Sequence, residues 1–295
     1  MKGKIIKGIA GFYYVHDRKS RVYACKARGI FRKRGIRPVV GDDVEFSILD
    51  EAAGEGSIDQ ILPRKNELVR PASANVDQAL VVFAVTQPDP NLNLLDRFLV
   101  MMEVNRIPVT VCFNKTDLAE ESLCDRYGRI YQEAGYQVFF ASTREGRGVE
   151  ALRAFLRGKT TILAGPSGVG KSSLTNVIQP EAGMETGAIS QKIQRGRHTT
   201  RHAELFCVEE DTYLMDTPGF SSMYLEEVEA AGLKEYFPEF DRLEEGCRFG
   251  ADCVHMGEPV CGVKAALDRG EIAASRYENY RLLYQELKER EKRRY

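Results

Sequence analysis

One stretch constrains this chain more than any other: Thr160 to Leu174, TTILAGPSGVGKSSL. It opens on the β-branched apolar run Thr161-Ile162-Leu163. It turns through Gly165-Pro166-Ser167-Gly168-Val169-Gly170 and continues at once into Lys171, Ser172 and Ser173. This is the G-x-x-x-x-G-K-[ST] pattern in full. The glycines let backbone N–H groups turn inward on a phosphate chain. The helix that starts near Lys171 aims its positive dipole end at the same anion. Lys171 is placed to reach the β and γ phosphates, and the Ser172 hydroxyl to ligate Mg²⁺. A strand before the turn and helix formers after it set the pattern apart from an ordinary glycine-rich turn.

A phosphate cradle says nucleotide without saying which base. Asn114-Lys115-Thr116-Asp117 follows the apolar run from Pro108 to Phe113, which reads as a buried strand. A carboxylate such as Asp117 accepts two hydrogen bonds from the N1–H and N2–H₂ edge of guanine, a donor pair that adenine lacks. Asn114 is expected to bridge base and loop, and the Lys115 stem to pack on the ring face. Asp117 also speaks against an ATPase of RNA metabolism.

Three further segments complete the constellation. Asp216-Thr217-Pro218-Gly219 ends the strand-like run from Thr212 to Met215. Asp216 there can hold Mg²⁺ through water, and the Gly219 N–H can meet a γ-phosphate. Gly196 to His202, GRHTTRH, offers a threonine that reaches the metal only when a γ-phosphate is present. Thr200 is the first choice and Thr199 the alternative. Ala141-Ser142-Thr143 follows the strand Gln137 to Phe140, and its backbone is expected at the guanine O6.

The order of these parts is unusual: the base-reading loops at 114–117 and 141–143 precede the phosphate loop at 165–172. The same sheet can form with its strands reconnected in a rotated order. The chain in this respect resembles the circularly permuted GTPases and, among them, the bacterial small ribosomal subunit biogenesis GTPases. The resemblance covers nearly the whole chain. It implies GTP and GDP with Mg²⁺, hydrolysis to GDP and phosphate, and the 30S ribosomal subunit with its 16S rRNA as partner, late in assembly. A nucleotide-gated rRNA-binding factor in which hydrolysis is incidental is the alternative. Ras-like proteins carry a water-orienting glutamine after the glycine of the Asp-x-x-Gly segment. Here Phe220 stands there, as in the family. Water must then be positioned by another group, and His198 is either that group or a solvated loop residue; His202 reads as solvated. Slow intrinsic turnover with acceleration by the partner follows. Gly168 replaces the asparagine of potassium-using relatives, so no K⁺ is expected.

The flanks agree. Residues 1–68 read as short strands, near Ile5–Ile9, Phe12–Val15, Arg21–Cys25, Val44–Ile48 and Gly56–Leu62, which suits an OB-fold barrel. The net charge is −1, so affinity for nucleic acid must come from local patches. Up to Arg37 there are twelve Lys or Arg and one acid, Asp17, with Phe12, Tyr13, Tyr14, Tyr23 and Phe31 interleaved. An RNA-facing barrel and a merely solvated basic face both account for this; the resemblance favours RNA. Residues 69–222 alternate strand and helix, which predicts a parallel sheet with helices on both faces. Residues 64–74 read as a link. Thr186 to His202, with Lys192, Arg195, Arg197 and Arg201, offers little to bury.

Residues 223–295 form a third unit. Cys247, Cys253, His255 and Cys261 set three thiolates and one imidazole within fifteen residues, a donor set for one structural tetrahedral Zn²⁺. Val260 stands directly before the last cysteine, where glycine is expected, but the ligand set is intact. The remaining cysteines, Cys25, Cys112, Cys124 and Cys207, read as core residues. Helices are predicted over Val263–Gly270 and from Ile272 to about Arg293, with a basic tail that either touches RNA or frays in solvent. No apolar run is long enough to span a membrane, no signal peptide is evident, and the cysteine usage suits a reducing compartment. A cytoplasmic monomer is expected.

Overall fold

The computed structural model describes residues 1–17, 19, 21–33, 35–69, 72–179, 204–216, 225 and 228–293. The first strands close into a barrel in the order β1-β2-β3-β5-β4. They are β1 (Lys2–Ile9), β2 (Phe12–His16), β3 (Val22–Ala27), β4 (Asp43–Asp50) and β5 (Glu55–Ile61). A short helix α1 (Gly29–Lys33), not evident in the sequence pattern, joins β3 to β4. The β1–β2 hairpin turns through Ala10 and Gly11, both at positive φ, the geometry that matches strand twist. The barrel closes where β3 runs parallel to β5, with Ala24 opposite Glu55 and Ala27 opposite Ile58.

Alternation along these strands turns Ile5, Val15, Tyr23, Cys25, Val44, Phe46 and Ile58 inward, and Phe31 of α1 joins them. Tyr23 and Phe31 are therefore core residues and not outward-facing aromatics, and Tyr23 packs on Phe46 at 5.4 Å between ring centroids. Phe12 does face solvent, with the Lys26 ammonium 5.0 Å from its ring centroid. The segment read as a link contains a small hairpin, β6 (Glu67–Val69) and β7 (Ala72–Ala74).

The second large sheet has six strands in the order β10-β9-β8-β11-β13-β12. These are β8 (Gln78–Ala84), β9 (Val109–Asn114), β10 (Gln137–Phe140), β11 (Thr160–Ala164), β12 (Glu204–Glu209) and β13 (Thr212–Asp216). All residues of β8 and β11 are buried, which explains their unbroken apolar runs. β10 runs parallel to β9, and β11 parallel to β13. β12 runs antiparallel to β13, so the sheet is mixed where the βα alternation predicted a parallel one. The reason is local: Asp211, at φ 56°, makes a tight reversal that leaves no room for a crossover helix.

Helices α2 (Leu92–Val104), α3 (Glu121–Glu133), α4 (Val149–Leu156) and α5 (Lys171–Ile178) accompany these strands. The Asn91 side chain caps α2 by accepting from Leu94 N at 3.0 Å. The chain divides into two compact units: residues 1–80, 149–164 and 171–220 form one, and 81–148, 165–170 and 221–295 the other. In the first, Lys7 of β1 pairs with Glu204 of β12 at 2.8 Å. In the second, α6 (Pro238–Asp241), α7 (Gly262–Asp268) and α8 (Ala274–Arg293) pack with α2 around Val100, Phe237, Phe240, Tyr280 and Leu283. Met102 is buried and Met101 packs against the same cluster, as core filling requires.

Arg276 of α8 sits in the middle of this packing, 1% exposed. Its guanidinium meets Asp96 Oδ1 of α2 at 2.6 Å and both carboxylate oxygens of Glu239 at 2.7 and 3.0 Å. Burial opposes the charge on Arg276, but Asp96 and Glu239 outweigh it and hold its pKa well above the ordinary value. Burial likewise pushes the Asp96 carboxyl up against the pull of Arg276. We take the cluster as ionised, because arginine keeps its proton and needs both partners.

Candidate functional site

The site begins with the phosphate turn. β11 delivers the chain into residues 165–170, where Gly165, Gly168 and Gly170 have φ of 137°, 82° and 94°. A Cβ on Gly165 would lie 2.0 Å from Val82 O, and one on Gly170 would lie 2.3 Å from Asn114 Nδ2. Only glycine fits at these two points, because the turn is pressed against neighbouring chain and curls the wrong way for an L side chain. Pro166 and Ser167 lie between the first two glycines, and Val169 is buried beneath the turn. Lys171, Ser172 and Ser173 form the first turn of α5 and are partly exposed. The helix is anchored from below by Leu174, Thr175 and Ile178.

The N-K-x-D loop meets this turn directly. Asn114, at the end of β9, is fully buried. Its Nδ2 donates to Val169 O at 3.0 Å, and its Oδ1 accepts from Thr143 N at 3.3 Å. One side-chain amide thus ties the N-K-x-D loop to both the phosphate turn and the 141–143 loop. Lys115 takes the left-handed conformation, φ 64°, and its ammonium donates to Gln87 O. Thr116 N donates to Ala141 O at 3.1 Å. Asp117 is partly exposed and accepts from the buried Ser142 hydroxyl at 2.6 Å. Ser142 Oγ accepts in turn from Glu145 N at 3.1 Å, which fixes the hydroxyl so that it points at the carboxylate. Sequence reasoning missed Gln87, whose carbonyl seats the Lys115 ammonium; nothing in the N-K-x-D motif points to that partner.

A donor cluster lies elsewhere in the same unit. The ligand atoms of Cys247, Cys253, His255 and Cys261 lie within 4.8 Å of one another, and all four residues are buried. Cys247 Sγ is 3.7 Å from His255 Nδ1 and 3.9 Å from Cys261 Sγ, and Cys261 Sγ is 3.4 Å from His255 Nδ1. A tetrahedral zinc with ordinary bond lengths requires about 3.8 Å between sulfurs and about 3.6 Å from sulfur to nitrogen. The group fits a metal ion. Burial pushes the Cys253 thiol up to about 12 and lowers His255. Thiolates at this site therefore call for a bound cation. The surrounding shell is formed: Gly262 N donates to Cys247 Sγ at 3.2 Å, and Tyr277 OH to His255 O at 2.7 Å. Nε2 of His255 lies 3.4 Å from Glu244 Oε1 without hydrogen-bond alignment. Val260 is exposed, so its side chain takes no room among the four ligands. Of the other cysteines, Cys25 and Cys112 are buried, whereas Cys124 and Cys207 are only partly covered.

Thr186 to His202, with His198, Thr199 and Thr200, and Gly219 with Phe220, lie outside the described residues. Asp216 is described as the last residue of β13, opposite Leu163 of β11. Among the described residues, no helix is long and apolar enough to cross a membrane.

Residues 61–226 match the RsgA GTPase family, and residues 2–58 match the RsgA N-terminal domain. The chain belongs to the RsgA GTPase family. The small ribosomal subunit biogenesis GTPase RsgA of Agathobacter rectalis is 53% identical, over 99% of this chain and 100% of its own length. That of Alkaliphilus metalliredigens is 51% identical over 97% and 98%. Among solved structures, YjeQ from Thermotoga maritima aligns with a TM-score of 0.82 at 37% identity, over 97% of this chain and 98% of its own. YloQ, described as a circularly permuted GTPase, aligns at 0.79 and 38%, over 98% and 95%. As an RsgA GTPase the chain is a GTP-hydrolysing enzyme with GTP, GDP and Mg²⁺ as its cofactors. Its fold is the permuted G domain behind an OB-like barrel.

Proposed function

We propose that this GTPase binds the small ribosomal subunit through its 16S rRNA, acts late in the subunit's maturation, and turns over faster once docked. The observation that carries the nucleotide site is the Asn114 amide, which joins the base-reading loop to the phosphate turn. Asp117, held by Ser142, reads the guanine edge with Asn114, Lys115 and Thr116 around it. The turn from Gly165 to Gly170 cradles the phosphates, and Lys171 neutralises charge on the β and γ groups. Ser172, Thr200 and Asp216 are the residues that would hold Mg²⁺, which supplies further charge stabilisation as the γ-phosphoryl departs. Ser173 and the Gly219 N–H assist at the phosphates. His198 orients water, since Phe220 can neither donate nor accept a hydrogen bond. The partner reading is supported by the names of the Agathobacter and Alkaliphilus relatives. We assign the Cys247, Cys253, His255 and Cys261 group to one Zn²⁺, on the donor distances given above. We keep 1–68, 69–222 and 223–295 as the domain limits, and a cytoplasmic monomer as the working form.

Asp117→Asn tests the base assignment: GTP affinity falls at least about 100-fold, since two hydrogen bonds to a charged group contribute about 3 kcal/mol or more, and xanthosine triphosphate binds better. Unchanged GTP preference would sink it. Hydrolysis with and without purified 30S subunits tests the partner; equal rates favour the nucleotide-gated RNA-binding factor.

A further inference from the structure

His16 ends β2 of the barrel, and Tyr213 lies in β13, 197 residues later. Their side chains meet inside the first compact unit. His16 Nδ1 is 2.9 Å from the Tyr213 hydroxyl, and the rings meet edge to face at 5.7 Å. The two residues are 4% and 0% exposed. The Lys4 ammonium stands 5.7 Å from the same tyrosine ring, while donating to Gly41 O at 3.2 Å and pairing with Asp43 at 3.1 Å. The Lys7–Glu204 pair is a second tie, on the neighbouring strand β12.

A buried imidazole–phenol pair is a poor way to add stability, because an apolar pair of the same shape does as well without the desolvation cost. What it adds is direction: the barrel is held to one strand in one register. That strand has consequences. Tyr213 is three residues, about 10 Å, from Asp216. Tyr213 is paired with Thr160 and Asp216 with Leu163, on the strand that runs into the phosphate turn. Interior strands surrounded by close packing shift as units and do not bend freely.

We propose that Tyr213, gripped by His16, is a positioning residue: RNA bound on the barrel acts through this contact on the placement of Asp216 and so on the rate of GTP hydrolysis. The proposal deepens the ribosomal reading above and rests on it. His16 is too buried to touch RNA itself, which separates positioning from binding.

The test is single-turnover GTP hydrolysis by the full chain, with and without 30S subunits, for wild type, His16→Leu, His16→Asn and Tyr213→Phe. In His16→Leu and Tyr213→Phe the stimulation by 30S falls about five-fold, equivalent to one lost hydrogen bond. For His16→Leu the intrinsic rate, the KM for GTP and the affinity for 30S stay at wild-type values. His16→Asn, whose amide occupies the position of the Nδ1 that meets the phenol, keeps most of the stimulation. If His16→Leu does not fold, Tyr213→Phe decides, since it removes a single hydroxyl. Full stimulation in these variants, or a parallel loss of intrinsic rate, overturns the proposal and leaves the ribosomal reading standing. An unstimulated wild type removes both.

Discussion

Gly165 shows how much one residue carries. Its φ of 137° and the 2.0 Å gap to Val82 O leave no space for a methyl group. Gly165→Ala is expected to cost on the order of 2 kcal/mol of stability. GTP affinity is expected to fall at least about ten-fold, because the phosphate turn must move to relieve the clash; titration with a fluorescent GTP analogue checks this. Asn114 works at the same scale by a different route. Its importance was visible from the N-K-x-D motif, yet the motif does not say that the amide grips Val169 O. That partner is set by how two distant loops pack, not by spacing along either one.

At the scale of elements, the strands of the G domain were readable because buried β runs are continuous and apolar, and the loops because glycine and proline punctuate them. β12 and the β6–β7 hairpin were not readable. β12 carries Glu204 and Glu209 at its ends and is only partly buried, so its sequence lacks the apolar signature of the strands inside the sheet. The junction of α2, α6 and α8 was equally hidden, since Asp96, Glu239 and Arg276 look like surface residues in sequence. Arg276→Met leaves two buried carboxylates unpaired and is expected to destabilise the protein by about 3–5 kcal/mol. Combining it with Asp96→Leu and Glu239→Leu recovers most of that loss, because the cost lies in the unpaired charge. The chain has no tryptophan, so unfolding is best followed by circular dichroism.

For the whole molecule, the group of three cysteines and one histidine lies within a single module. Cys247, Cys253 and Cys261 belong to the same packed cluster as Phe237, Phe240 and Tyr280. Strong chelation, or Cys261→Ser, is expected to release one equivalent of zinc per chain. Amide-exchange protection should then fall in α7 and α8 while the barrel strands keep theirs; uniform loss across the chain would argue against a local structural role. One compact unit holds the barrel together with β11, β12 and β13, and the other holds the cysteine-bearing module together with the N-K-x-D loop.

Local chemistry written in consecutive residues was enough to specify the glycine turn, the N-K-x-D loop, the set of three cysteines and one histidine and the barrel's strand pattern, because each is a short-range pattern of backbone freedom, donor type or alternation. Only tertiary structure decided which carbonyl Asn114 holds, which aromatics of the barrel are core, that Arg276 joins α8 to α2, and that His16 reaches Tyr213. Those pairings join residues far apart in the chain, and their partners are selected by close packing in three dimensions, for which no local pattern exists.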